Sequence, residues 1–141
     1  MVITLEYWNE MARQMLLVSS LLSGFSIAVM ASILVSDKND KLMNRILKST
    51  TLSAGCFLVT VFSMVQIVMI TTPGGVIKNI SASDFVIPRI IGITTFMIGL
   101  VALSMMIALS GWTKSKKVGR FTTIIGILTL ILILSTLIQV G

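Results

Sequence analysis

The side chains of this chain that could do chemistry are mainly small hydroxyls, set at helical spacing within long apolar stretches. The first stretch repeats a small residue every four positions: Ser20, Gly24, Ala28 and Ser32. The second carries a polar stripe: Ser53, Cys56, Thr60, Ser63 and the adjacent Gln66. Small residues at this spacing let helix backbones approach closely, and hydroxyls can then hydrogen-bond across the contact. The first stretch could therefore pack through this face or line a narrow path with it.

A glutamine amide within a bilayer needs hydrogen-bond partners, because an unsatisfied polar group is costly there. We expect Ser63 and Gln66 to be polar groups inside the membrane, with Gln66 bonded to serines of the first stretch or facing a hydrated cavity. The third stretch has its own small face, and the fourth is mostly Ile and Leu, with Gly126 as its one close-approach point. We predict helix packing at four positions: Ser20, Gly24, Gly92 and Gly99.

Catalytic and metal chemistry find little support in the composition. The chain has no histidine, one cysteine and five acidic residues. Metal sites need clustered His, Cys or carboxylate ligands, and nucleophilic catalysis needs a base beside the nucleophile. No base falls within an apolar stretch. We therefore predict that the protein is not an enzyme and has no catalytic residue, metal site or cofactor.

The polar residues lie on four apolar stretches that fill most of the chain: residues 16–36, 51–70, 90–109 and 121–141. None contains a charged residue, and about 20 apolar residues suffice for a helix to cross a bilayer. This predicts an all-α membrane protein, a four-transmembrane-helix bundle forming one integral-membrane domain over residues 1–141. Residues 1–15 are predicted to form an interfacial helix or to extend the first span. Because so small a bundle can enclose a pore only by assembling, we expect a homo-oligomer.

The net charge of +6 is concentrated beside the spans, which favours contacts with anionic lipids in the bilayer over nucleic acid. Eight basic residues flank loops one and three: Lys38, Lys41, Arg45, Lys48, Lys114, Lys116, Lys117 and Arg120. Three lie on the other side: Arg13, Lys78 and Arg89. Basic loops stay in the cytoplasm, so both termini are predicted outside. The sequon Asn79-Ile80-Ser81 would matter only in a eukaryotic secretory pathway, which nothing else in the sequence indicates, and we expect a bacterial inner (plasma) membrane.

Residues 21–30, Leu-Leu-Ser-Gly-Phe-Ser-Ile-Ala-Val-Met, resemble the first transmembrane helix of the Orai calcium-channel family. That family has four spans per subunit and assembles hexamers whose first helices line the pore. The resemblance implies a pore lined by Leu21, Phe25, Ala28 and Ser32. This chain departs from the family at two points. Ser32 stands where the family has its selectivity glutamate, and the family keeps both termini in the cytoplasm, whereas the charge count places them outside here.

Two functions follow as hypotheses. One is an oligomeric ion channel or pore with the first helix around the axis, where an uncharged lining would gate by wetting. The alternative is a non-conducting scaffold or accessory subunit of a larger membrane complex. It is favoured by the absence of charge within the spans, since ion and proton pathways usually contain charged groups.

Overall fold

Four long α-helices make up most of the computed structural model, which describes residues 4–37, 39–72, 74 and 82–140. They are α1 (Leu5–Val35), α2 (Lys41–Thr71), α3 (Val86–Ser110) and α4 (Lys116–Val140). Short 3-10 helices at Ala82–Phe85 and Gly111–Thr113 precede and follow α3. All four helices are long and apolar enough to cross a membrane, and the described residues contain no strand. The predicted all-α, four-helix membrane fold is confirmed.

The helices extend beyond the apolar stretches. From Leu5 onward the amino-terminal segment is the first part of α1 and not a separate helix, because no glycine or proline interrupts it and the Thr4 hydroxyl caps it by accepting from the Tyr7 amide at 3.4 Å. A helix of 31 residues is about 46 Å long, against about 30 Å for the hydrocarbon core. α1 is therefore longer than the hydrocarbon core is thick, and the turns that carry Glu6 and Glu10 are not needed to cross it.

The helices pack mainly in chain order, with α2 at the centre. α1 and α3 each pack along α2, and α4 packs chiefly on α3 and on the turn before it. The residues buried on α2 include Phe57, Met64 and Ile67, and Ala12 of α1 completes one apolar cluster with the last two. α4 is the most exposed of the four helices. It meets α3 closely at Gly126, where an added Cβ would lie 3.1 Å from the Ser104 carbonyl oxygen.

Loops one and three lie at the same end of the bundle. Asp37 and Asp40 from loop one line a shared cavity of about 390 Å³ with Trp112 and Thr113. At the opposite end, the sequence Thr72-Pro73-Gly74-Gly75 predicts a turn, and Gly74 has a φ of +80°, a left-handed conformation that glycine adopts without strain. Lys38, Pro73, Gly75 and Lys78, which entered the charge and turn predictions, lie outside the described residues.

We predict that this shared loop end faces the cytoplasm. Single cysteines at Lys41 and Lys116, in a Cys56→Ser background, should resist a membrane-impermeant maleimide in intact cells and react after permeabilisation. A cysteine at the exposed Glu6 is the matched control and should react in intact cells. Labelling at both loop positions but not at residue 6 would reverse the orientation.

Candidate functional site

A hydroxyl seam joins α1 to α2 within the bundle. The Ser26 and Ser53 hydroxyls are 3.2 Å apart, and the Ser23 hydroxyl donates to the Ala54 carbonyl at 3.4 Å. Both serines of α1 are buried, as is Ser53. We use the name hydroxyl seam for these contacts together with the hydroxyl contacts between α2 and α3. Its hydroxyls are engaged in helix contacts, so they do not line an open path.

The seam continues onto α3, where two glycines receive side chains of α2. Ser53 donates to the Gly99 carbonyl, and Thr60 donates to the Gly92 carbonyl, each at 3.4 Å. The Thr60 hydroxyl is also 2.9 Å from that of Thr95. A Cβ at Gly99 would lie 3.0 Å from the Phe57 ring. The predicted packing positions Gly92 and Gly99 therefore lie in the contact between α2 and α3.

Gly92 meets the end of the Met64 side chain and lies beside Ser63. A Cβ added at Gly92 would collide with the Met64 methyl group and would lie 3.2 Å from the Ser63 Cβ. Ser63 is buried at this contact. This pair of helices is thus held by close packing on the glycines and by hydrogen bonds to their carbonyls.

Ser20 and Gly24 are placed differently from the sequence-based expectation of packing. Both are exposed, and a Cβ at Gly24 would meet no atom within 4 Å, so neither packs on another helix of the same chain. The buried face of α1 contains Ser19, Ser23 and Ser26 instead. A strict four-residue repeat drifts around a helix of 3.6 residues per turn, whereas alternating steps of four and three follow a helix contact. The steps of four and then three residues from Ser19 to Ser23 to Ser26 were therefore the sequence signal for the buried face of α1.

The residues suggested as pore-lining share the exposed side of α1. Leu21 is 67% exposed and Phe25 54%, and Ala28 and Ser32 are also exposed. The Ser32 hydroxyl donates to the Ala28 carbonyl at 2.9 Å, so it is satisfied by its own helix. We call these four residues, with Ser20 and Gly24, the α1 stripe. It faces away from the hydroxyl seam and is uncharged.

Gln66 is also exposed, so its expected bond to the serines of α1 is not formed. It lies on α2 beside Phe62 and Met69, which are 71% and 64% exposed. Ala12 packs with Met64 and Ile67, which brings Gln66 level with the region of Arg13. This is close to the end of the apolar stretch, where an amide can reach interfacial water, and this explains why it does not need to turn inward.

Asn9 and Trp8, which the sequence analysis did not select, connect the helices at the end opposite loop one. The Asn9 amide donates to the Thr71 hydroxyl at 2.8 Å, and its oxygen accepts from Arg13 Nε at 2.8 Å. The Arg89 guanidinium lies 4.3 Å from the centre of the Trp8 ring, a favourable cation–π geometry. The four-residue spacing of Asn9 and Arg13 on one helix was the sequence signal for the bond between those two side chains.

A cavity of about 430 Å³ opens between α1, α3 and the end of α4. Its apolar wall includes Met11, Phe96 and Leu137. Glu10 and Gln14 also line it and are bonded to each other at 3.1 Å. No group of three potential His, Cys, Asp or Glu metal ligands occurs in the part of the chain that the structure describes. The cavity could hold an apolar group beside a carboxylate.

The chain matches no protein-family model, no curated protein and no solved structure. The likeness of α1 to the Orai family therefore rests on residues 21–30 alone.

We predict that Gly99→Leu lowers the free energy of unfolding by about 1–3 kcal/mol, the usual cost of overpacking a filled contact. The added side chain would be forced into the Phe57 ring. Thermal unfolding of the purified protein in mild detergent measures the effect. Gly55→Leu is the matched control, since a Cβ there meets nothing within 4 Å. Equal stability of the two variants would contradict the close α2–α3 contact.

Proposed function

We propose that the protein is an oligomeric pore whose subunits meet through the α1 stripe, so that copies of α1 surround a central axis. The observation that carries the proposal is the placement of the α1 stripe on the outside of the chain. Its small positions are open, as the empty space around a Cβ at Gly24 demonstrates. Helix contacts in membranes are enriched in such small residues because they let backbones approach.

α4 provides the contrast within the same chain. Exposed hydroxyls on α4, at Thr129, Ser135 and Thr136, bond to carbonyls of the same helix. Its other exposed residues are mostly large and aliphatic or aromatic, among them Phe121, Ile124, Ile131 and Ile138. Such side chains suit contact with lipid tails, whereas the exposed serine, glycine and alanine positions of α1 suit contact with another helix. The two exposed helices therefore favour different surroundings, and this difference supports self-association through α1.

An axis lined by the α1 stripe would be uncharged. Phe25 is the bulkiest residue of the stripe and would form the narrowest ring, which excludes water and so blocks ions. Since Ser32 offers no carboxylate, such a pore would select weakly among cations. The likeness to the first Orai helix supports the placement of α1 at the axis, and calcium selectivity is not part of the proposal.

The second candidate is a non-conducting scaffold or accessory subunit that uses the same stripe to bind a partner helix. Ion pathways usually contain charged groups, and the α1 stripe has none. The hydroxyls of the seam are also committed to contacts within the chain. Assembly without conduction would support this second function.

For both functions we propose insertion in a bacterial inner membrane with the termini outside. The charge difference between the two sides supports this orientation. The exposed basic residues near loops one and three support contacts with anionic lipids on the cytoplasmic side.

We predict that Gly24→Leu abolishes the assembled species without unfolding the subunit. A leucine side chain would hold neighbouring α1 helices apart, while the space around Gly24 accepts it within one chain. Light scattering of the detergent-solubilised protein measures the mass, and Gly24→Ala is the small-residue control that should still assemble. Wild-type protein that is monomeric in mild detergent and in nanodiscs would refute assembly through α1.

We predict that Phe25→Ser increases ion flux well above that of the wild type, because a polar ring stays wet. Ion leak from liposomes that contain the purified protein measures it across several cations. Phe121→Ser, at an exposed phenylalanine of α4, is the matched control and should leave flux unchanged. An assembled Phe25→Ser protein with no flux above empty liposomes would reject the pore and leave the scaffold.

A further inference from the structure

One exposed face of α2 changes from basic to apolar along its length. Lys41, Arg45 and Lys48 follow one another at spacings of four and three, and the same alternation continues through Leu52, Gly55 and Val59. These spacings place all six side chains on one side of a helix. All six are exposed, and α2 contains no acidic residue. We call this set the α2 stripe.

The apolar part of the α2 stripe lies in a groove of about 660 Å³. Lys48 lines the groove at its loop-one end, Gly55 and Val59 lie further along, and Thr95 contributes from α3. From Leu47 to Val59 the groove follows α2 for about 18 Å at the usual helical rise. One leaflet of the hydrocarbon core is about 15 Å deep, half of the full thickness. The groove thus matches the reach of one acyl chain from the loop-one interface.

The charges at the loop-one end favour an anionic headgroup. Lys41, Arg45 and Lys48 form no ion pair with another described residue. Asp37 and Asp40, the nearest acids in sequence, line the separate cavity beside Trp112. Lysine and arginine at a membrane surface attract anionic lipid, and their long side chains can reach the headgroup layer while their stems cover apolar surface.

We propose that the groove along α2 is a binding site for one anionic phospholipid. One acyl chain lies over Gly55 and Val59. Lys48 binds the phosphate, and Arg45 and Lys41, which lie closer to loop one on α2, add positive charge beside the headgroup. Gly55 leaves room for that chain, because a Cβ there would meet nothing within 4 Å. The site lies on a different helix from the α1 stripe and does not depend on conduction.

Native mass spectrometry of the full chain tests the site. Protein reconstituted in equimolar phosphatidylglycerol and phosphatidylcholine, then extracted in mild detergent, should retain one phosphatidylglycerol per chain in preference to phosphatidylcholine. Lys48→Gln should reduce that preference about fivefold, as expected for one interfacial cation. Lys116→Gln removes an exposed charge at the same end of the bundle but outside the groove, so it weakens only the general surface attraction and should lower the preference much less than Lys48→Gln does.

Two more variants separate the headgroup from the groove. Arg45→Gln, one turn from Lys48, tests the phosphate contact independently and should also lower the preference. Gly55→Leu fills the groove and should reduce retention of both lipids. Equal retention of the two lipids by the wild type, an equal effect of Lys48→Gln and Lys116→Gln, or full retention by folded Gly55→Leu would each overturn the site.

Discussion

The packing of α2 side chains onto Gly92 and Gly99 of α3 is the contact on which the rest of the bundle depends. α2 also receives α1 and therefore forms the centre of the packing, while α4 reaches the bundle chiefly through α3. Within a bilayer the hydrophobic effect gives little reason for helices to associate, so close packing and interhelical hydrogen bonds must hold them together. Each such bond contributes only about 0.6–2 kcal/mol, and the fit of Phe57 and Met64 against the glycines is therefore as necessary as the hydroxyls.

Some hydroxyls join two helices while they also bond to a backbone carbonyl of their own helix. Thr60 lies 3.0 Å from the carbonyl oxygen of Cys56, one turn earlier, and also reaches Thr95 on α3. Sharing of this kind suits a helix in lipid, where each polar group needs a partner within the protein. Ser19 is the exception among the described residues, since its buried hydroxyl has no partner. Its small size suits the α1–α2 contact, and packing is the role that its position supports.

The fold was predictable from the sequence to a greater extent than the site. Charge-free stretches identify the membrane spans, and Gly92, Gly99 and Gly126 could be recognised because glycines in such spans permit close approach. The faces of α1 were harder to assign, since Ser19 and Ser20 are adjacent and both belong to small-residue patterns. Only the contact with α2 distinguishes them. The contacts of Asn9 and Trp8 could not be predicted because their partners, Thr71 and Arg89, lie far away in sequence. Whether Gln66 faces another helix likewise depends on the register between helices.

The packing of each helix mainly on its neighbour in sequence has a consequence for biogenesis. A chain is synthesised from its amino terminus, so α1 and α2 can dock as a hairpin before α3 has emerged. α3 then adds to the open side of α2, and α4 adds last to α3. No helix has to enter between two that have already joined, and the contacts remain local, which favours rapid folding. Insertion and folding can therefore proceed in one direction, and the incomplete chain does not have to rearrange at any stage.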